Sequence, residues 1–283
     1  MTTALTWPDT IAEFLGLAGG LLAAREAEHN LILGLCHTLL HHPEVYPEAR
    51  FAVVSEGGRV LAAAMQTVPH NVILSEMTAA HAEAIADALA DDATEIPGVL
   101  GPVTEARAFV GRFAARTGRA GAIEIRQRIF RADRVLPPRP APGRWRLARE
   151  GDRARLADWA EAFRLEAAPE SPRHADPSLV ADRWIRRIDR TVYLWEDAGR
   201  AVAMAGAGGE TPSGTRIGPL YTPRALRRRG YASNLVAATT RDQLDRGRRF
   251  CFLFTDLANP TSNRIYQAIG YRPVTDVDQW RLG

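Results

Sequence analysis

Apolar positions along the second half of the chain change period in a regular order, and the elements can be read from those changes. Arg144 to Arg149 alternates as a strand, and a helical pattern runs from about Gly151 to Leu165. A loop with Pro169, Pro172 and Pro177 leads to a second helix near Leu179 to Asp189. Thr191 to Glu196 and Ala201 to Gly208 read as a hairpin, and Ile217 to Thr222 as a strand. The next helix runs to about Arg246 and stops at Gly247. Phe250 to Thr255 is a short buried strand, Pro260 to Ile269 a helix, and Arg272 to Leu282 strand-like. The first half repeats this order. Helical patterns cover Pro8 to Ala24 and Glu26 to His41, and a hairpin joins Phe51–Val54 to Val60–Thr67 across Gly57-Gly58. Val72 to Ser75 is a strand, Ala79 to Asp91 a helix, and Val99 marks a short strand. Thr104 to Thr117 is a helix and Ile123 to Phe130 a strand.

The two halves therefore share helix, helix, three strands, helix, strand, helix, strand. The pattern predicts a mixed α/β fold built as a degenerate tandem repeat, with two unrelated α/β domains as the other reading. The expected division is residues 1–135, a Pro-rich connector at 136–143, and 144–283; the run from Val135 to Gly143 reads as stiff and polyproline-like.

Composition narrows the class. With 283 residues, 46% hydrophobic and 24% charged, the chain reads as a soluble globular protein. No apolar run is long enough to span a bilayer and no secretory signal is recognisable, so no membrane role and a cytoplasmic location are expected. Cys36 and Cys251 lie in different halves and read as buried free thiols. A net charge of +3 is too mild to argue for nucleic acid. All 36 basic residues are arginine, so the chain has no lysine amine of its own to modify.

Two segments carry chemistry. Tyr221-Thr222-Pro223-Arg224-Ala225-Leu226-Arg227-Arg228-Arg229-Gly230-Tyr231-Ala232 follows an apolar strand and opens into a helix. Backbone N–H groups at a helix start, beside the positive end of its dipole, suit an anion. Gly230 and Ala232 leave room for close approach, and arginines add charge. The segment reads as a pyrophosphate cradle for a nucleotide-bearing ligand. A Walker-type loop is excluded because no Lys follows the glycine, and the three-glycine dinucleotide fingerprint is absent. In the second segment, Asn259, Ser262, Asn263 and Tyr266 fall at i, i+3, i+4 and i+7, with Ile265, Ala268 and Ile269 on the opposing face. Asn259 suits an N-cap, Pro260 the first helical position and Gly270 the left-handed cap. The polar stripe can hydrogen-bond an extended ligand and donate a proton from its phenol. Tyr266 reads equally as a half-buried structural tyrosine.

Together the two segments resemble the GCN5-related N-acetyltransferase (GNAT) superfamily. Its phosphate motif is matched by Arg227, Gly230 and Ala232, and its later Asn, Tyr and Gly-aromatic motif by Asn259, Tyr266, Gly270 and Tyr271. The resemblance implies that acetyl-CoA is the cosubstrate, its pyrophosphate on the backbone of Arg228, Arg229, Gly230, Tyr231, Ala232 and Ser233. It implies that pantetheine pairs with Leu220, Tyr221 and Thr222, and that Tyr266 protonates the departing thiolate. The strand from Thr215 to Thr222 carries no carboxylate, so the general base stays open: Glu166 is the first choice, with Glu170 and His174 in the same loop, against a water relay or an acceptor arriving as free amine.

In the first half the corresponding turn is Glu76-Met77-Thr78-Ala79-Ala80-His81, acidic and without glycine or arginine. Ala108 and Phe109 stand near the tyrosine position. This half is expected to bind no CoA. Six of seven histidines lie there, and His37 and His41 at i, i+4 read as ordinary helix residues, so no metal is expected. The expected activity is acetyl transfer to the primary amine of a small molecule by a monomer or homodimer. The alternatives are a protein or peptide N-acetyltransferase and a non-catalytic CoA-responsive binding protein; a nucleic-acid binder using Arg227 to Arg229 ranks below them.

Overall fold

The computed structural model describes residues 3–92, 95–167 and 175–283. The strands are β1 (Thr3–Thr6), β2 (Ala49–Glu56), β3 (Arg59–Thr67), β4 (Val72–Leu74), β5 (Gly98–Pro102) and β6 (Gly121–Ala132). They continue as β7 (Arg144–Leu147), β8 (Arg190–Asp197), β9 (Arg200–Gly208), β10 (Gly214–Tyr221), β11 (Phe250–Asp256) and β12 (Arg272–Leu282). The helices are α1 (Ile11–Ala24), α2 (Asn30–His41), α3 (Ala79–Ala90), α4 (Val103–Thr117), α5 (Arg153–Ala167), α6 (Pro177–Arg186), α7 (Tyr231–Asp245) and α8 (Pro260–Ala268). The repeat expected from the pattern is present. β1 completes it, opening the first half as β7 opens the second. Three of its four residues are exposed, so no apolar run marks it in the sequence.

Two compact units result: Met1–Ile129 with Asp256–Ala258 and Val274–Gly283, and Phe130–Thr255 with Asn259–Pro273. This division departs from the one expected along the chain, because the last strand packs in the first unit while the end of β6 packs in the second. In the first unit β1 to β4 form an antiparallel meander, β4 runs parallel to β5, and β12 pairs antiparallel with β5 from Val277↔Pro102 to Arg281↔Gly98. In the second, β7 to β10 are antiparallel and β10 is parallel to β11.

Both units bury both faces of their sheet, which explains the nearly continuous apolar strands. In β2, Phe51 and Val53 face α1 and α2, while Ala52 and Val54 join the core under α3 and α4. In β8, Val192 and Leu194 face α5 and α6, while Tyr193 and Trp195 join α7 and α8. The repeat extends to detail: the hairpins shift register at the same place, between Val54 and Ser55 and between Trp195 and Glu196.

The Pro-rich segment lies along the second unit. Leu136 N–H donates to Ile269 O at 3.0 Å, Trp195 Nε1 to Pro142 O at 2.8 Å, and Asn234 Nδ2 to Arg139 O at 2.9 Å. Proline carbonyls keep full acceptor strength, so the run offers bonds without needing any for its own missing N–H groups. Because Leu282 is buried in the first unit's core beside Phe113 and Val110, Leu282→Ala is expected to destabilise that unit by about 2–4 kcal/mol. Faster amide exchange across β5 with α7 unchanged is the expected readout.

Candidate functional site

The site grows out of a defect in pairing between parallel strands. β10 and β11 are in register only at Gly214↔Phe250, Thr215↔Cys251 and Arg216↔Phe252. Beyond Arg216, β10 keeps its partner β9, with a register shift between Ile217 and Leu220, and has no ladder with β11. Ile217 to Tyr221 therefore present backbone polar groups to the opening between the strands. The Arg190 guanidinium, reaching from β8, donates to Gly218 O within that shift.

β10 is followed by nine residues, 222–230, that include a short 3-10 turn at Arg224–Leu226. Leu226 N–H and Arg227 N–H are bound to Pro223 O and Arg224 O. Arg228 then takes a left-handed conformation (φ 65°), and so does Gly230 (φ 82°) as N-cap of α7. Left-handed residues turn successive N–H groups to one side, forming an anion-binding hollow. No side chain caps α7, and from Arg228 to Ser233 no N–H has an acceptor among the described residues until Asn234 N–H meets Gly230 O at 3.1 Å. Beside this row the Thr222 hydroxyl is buried and has no partner among the described residues. The amides of the exposed residues Arg228 to Gly230 are open to water or to an anion, while the buried Thr222 hydroxyl is costly to leave unmet.

The arginines divide in role. Arg227 turns inward, Nε donating to Thr222 O at 2.8 Å and Nη2 to Glu166 Oε2 at 2.5 Å. Arg224 Nε donates to Glu166 Oε1 at 3.3 Å. Glu166, the first choice for general base, thus has both carboxylate oxygens engaged by guanidinium groups of the turn before α7. Glu170 and His174 lie outside the described residues. Arg228 and Arg229 are exposed. Tyr231 offers only its backbone, because its phenol is buried and donates to Asp197 Oδ2 at 2.5 Å. Burial of neither strand nor turn explains why the turn holds its shape; Asn234 does, donating to Gly230 O at 3.0 Å and to Arg139 O of the Pro-rich segment. That tie was invisible in sequence, since its partners are far apart along the chain.

On α8, Asn259 caps the helix, its Oδ1 accepting from Ser262 N–H at 3.1 Å. Asn263 Nδ2 donates to Asn259 O at 2.8 Å. Tyr266 lies at the buried end of this stripe, packed among Phe130 and Tyr271. The apolar face expected at Ile265, Ala268 and Ile269 is corrected: Ala268 is exposed, and Tyr266 shares the buried side with Ile269. Burial pushes the Tyr266 phenol up to about 12, opposed in part by a hydrogen bond with Ser262. It is therefore protonated throughout the neutral range and able to donate.

The equivalent turn in the first unit is closed by its own side chains. It has four residues, 75–78, and Thr78 caps α3 through its hydroxyl. Glu76 N–H donates to His29 Nε2 at 3.3 Å, and Met77 N–H to Glu105 Oε1 at 3.3 Å. His29 is kept neutral by burial and accepts at that nitrogen. Phe109 occupies the tyrosine position and is fully buried. The amides left open in the second unit are spent here.

Elsewhere, both cysteines are free and buried, and no helix among the described residues is long and apolar enough to cross a membrane. His41 Nδ1 meets His37 O at 2.8 Å, and the described residues hold no cluster of three metal-ligating side chains.

These features agree with known proteins. A family model described as FR47-like protein matches residues 198–280. No curated protein matches the chain in sequence. An acetyltransferase of the GNAT family from Colwellia psychrerythraea is similar over 99% of this chain and 100% of its own, with a TM-score of 0.59 and 11% identity. A tandem GNAT protein from the clavulanic acid biosynthesis pathway matches over 99% and 98%, with a TM-score of 0.60 and 15% identity. A Drosophila structural-genomics target matches over 100% and 99%, with a TM-score of 0.68 and 18% identity. The resemblance to the GCN5-related N-acetyltransferases therefore holds at the level of fold, over a length that accommodates two repeats.

The raised Tyr266 pKa has a consequence for stability. A phenol held protonated contributes fully below its unfolded pKa of about 10 and loses that contribution as pH rises toward its folded value. Tyr266→Phe should flatten the fall in stability between about pH 10 and 12, measured by denaturant unfolding across that range.

Proposed function

We propose that this chain is an acyl-CoA-dependent N-acyltransferase of the cytoplasm, transferring an acetyl group to the primary amine of a small molecule, with the site in its C-terminal repeat. The row of unpaired amides from Arg228 to Ser233 carries the reading. A diphosphate satisfies several such donors at once, and the exposed Arg228 and Arg229 complement its charge. The open edge of β10 suits the amide groups of an extended pantetheine arm, and the orphan Thr222 hydroxyl offers a further bond. On this reading residues 1–135 form the degenerate repeat, whose turn is already satisfied, and 144–283 the catalytic one.

Acetyl-CoA, when bound, supplies the acyl group as an activated thioester. In the transfer, the amine nitrogen bonds to the carbonyl carbon and the carbon–sulfur bond breaks. A backbone N–H of β10 near Leu220 or Tyr221 stabilises charge on the carbonyl oxygen. Tyr266 Oη gives its proton to the leaving sulfur, and Ser262 keeps the phenol oriented. The attacking nitrogen loses its proton to water as the amide forms, since both oxygens of Glu166 are engaged by Arg224 and Arg227, and water returns a proton to the Tyr266 phenolate. Glu166 is then a brace joining the acceptor-side helix α5 to the phosphate turn. The Trp159 and Tyr221 rings, 5.9 Å apart at the end of β10, give the acceptor an aromatic wall.

Thiol release from acetyl-CoA across a library of small amines and peptides tests the assignment. Tyr266→Phe is expected to lower turnover by ~10²–10⁴-fold while leaving acetyl-CoA affinity nearly unchanged. Equal turnover would remove Tyr266 from the reaction, and tight CoA binding with no acceptor would favour the binding-protein reading. Glu166→Gln should change CoA affinity by less than about tenfold, the range of modest exposed ion pairs, and leave the pH–rate profile in place. Loss of the acidic limb with a large drop in turnover would make Glu166 the base after all.

A further inference from the structure

We propose that the acceptor amine carries a carboxylate and that the Arg190 guanidinium holds it, so that the substrates are amino acids. This rests on the transferase reading above and adds to it the chemistry of the second substrate.

Arg190 opens β8, two residues before Val192, which faces α5 and α6 together with Leu194 and with Met204 of β9. Residues two apart on a strand share a face, so Arg190 and Gly206 belong to that side as well. The arginine stem crosses β9 over Gly206, and its Nη1 donates to Gly218 O inside the register shift of β10. A Cβ at Gly206 would lie 2.5 Å from Arg190 Cδ and 2.6 Å from Gly218 O. Glycine inside a strand weakens it and marks a place where another group comes close. Here that group is a cation.

The first unit lacks this arrangement. Counted from the register shift that the two hairpins share, Arg190, Gly206 and Gly208 correspond to Ala49, Met65 and Thr67. Met65 is buried in the core under α1 and α2. The arginine and the bare strand beneath it thus belong to the unit whose cradle is open, and the unit with the closed turn does without them.

Gly218 lies beyond Arg216, the last residue of β10 paired with β11, and before Tyr221, whose ring packs near Trp159. The guanidinium therefore stands on the acceptor face, beside the opening between the strands. Among the described residues Arg190 makes that one hydrogen bond and pairs with no carboxylate. With Nη1 tied, Nε and Nη2 remain, an edge that matches a carboxylate with two parallel bonds. Asp189, its neighbour in sequence, lies 4.0 Å from Arg183 Nε, and Glu166 is held by Arg224 and Arg227. One fixed positive charge answers one carboxylate. A phosphate dianion calls for a second cation, and a diamine would bring an ammonium against the guanidinium.

Thiol release from acetyl-CoA is measured with the common α-amino acids and with ω-amino acids of graded length, each beside its own carboxamide. The acids that turn over are expected to do so with higher kcat/KM than their amides. Arg190→Leu should lower kcat/KM for the acids at least about tenfold, the scale of a hydrogen bond between charged groups, while the amides and acetyl-CoA affinity change little. Each amine is equally basic with either protein, so the change in the acid-to-amide ratio reports the arginine alone. Arg190→Lys, which keeps the charge, should retain much of the preference. Calorimetric titration of the CoA-bound protein with the same pairs should give the same order of affinity without turnover. An equal fall for acids and amides in Arg190→Leu would make the residue a brace for β10 and overturn the proposal. Amides favoured over acids by the unaltered protein would overturn it and leave the transferase reading standing; thiol release from no member of the panel would overturn both.

Discussion

A helix begins with N–H groups that its own carbonyls cannot reach, and buried structure does not tolerate leaving them unmet. This protein meets that constraint in two opposite ways at equivalent places. The turn before α3 is short, and Thr78, His29 and Glu105 engage the helix cap and the turn amides from within the unit. The turn before α7 is longer, has glycine at the cap, and leaves six consecutive residues, Arg228 to Ser233, without an acceptor among the described residues. One repeat meets its turn amides from within, and the other leaves them open to solvent. The difference in function proposed for the two repeats is this difference in hydrogen bonding.

What keeps the open turn in shape lies outside it. Arg227 braces the strand end at Thr222 and reaches Glu166 at the end of α5. Asn234 joins the first turn of α7 to the carbonyl of Arg139 in the Pro-rich segment. These ties position donors before a ligand arrives, which lowers the cost of ordering them on binding. They also tie the turn before α7 to the end of α5 through the Glu166 carboxylate.

Most elements were legible in the sequence, because both sheet faces are covered and each strand reads as an apolar run between turn residues. The hairpin at Gly57-Gly58 and the glycine before α7 were readable for the same reason, since positive φ at these positions selects glycine. β1 escaped because three of its four residues are exposed and no apolar run marks it. The fate of Tyr266 was only half legible: helical spacing placed it on the polar stripe, but packing against Phe130 and Tyr271 placed it in the core. Glu166 was legible as a carboxylate in the right region, while its commitment to two arginines depends on where α5 ends in space.

By itself the sequence determined the repeat, the order of elements and the strand, turn and helix that form the open cradle, since these follow from residue periodicity and local backbone preference. Only the tertiary structure decided that the last strand packs in the first unit and that the Pro-rich segment lies along α7 and α8. Those outcomes depend on contacts between residues far apart along the chain, and local pattern carries no record of which distant surface will complete a core.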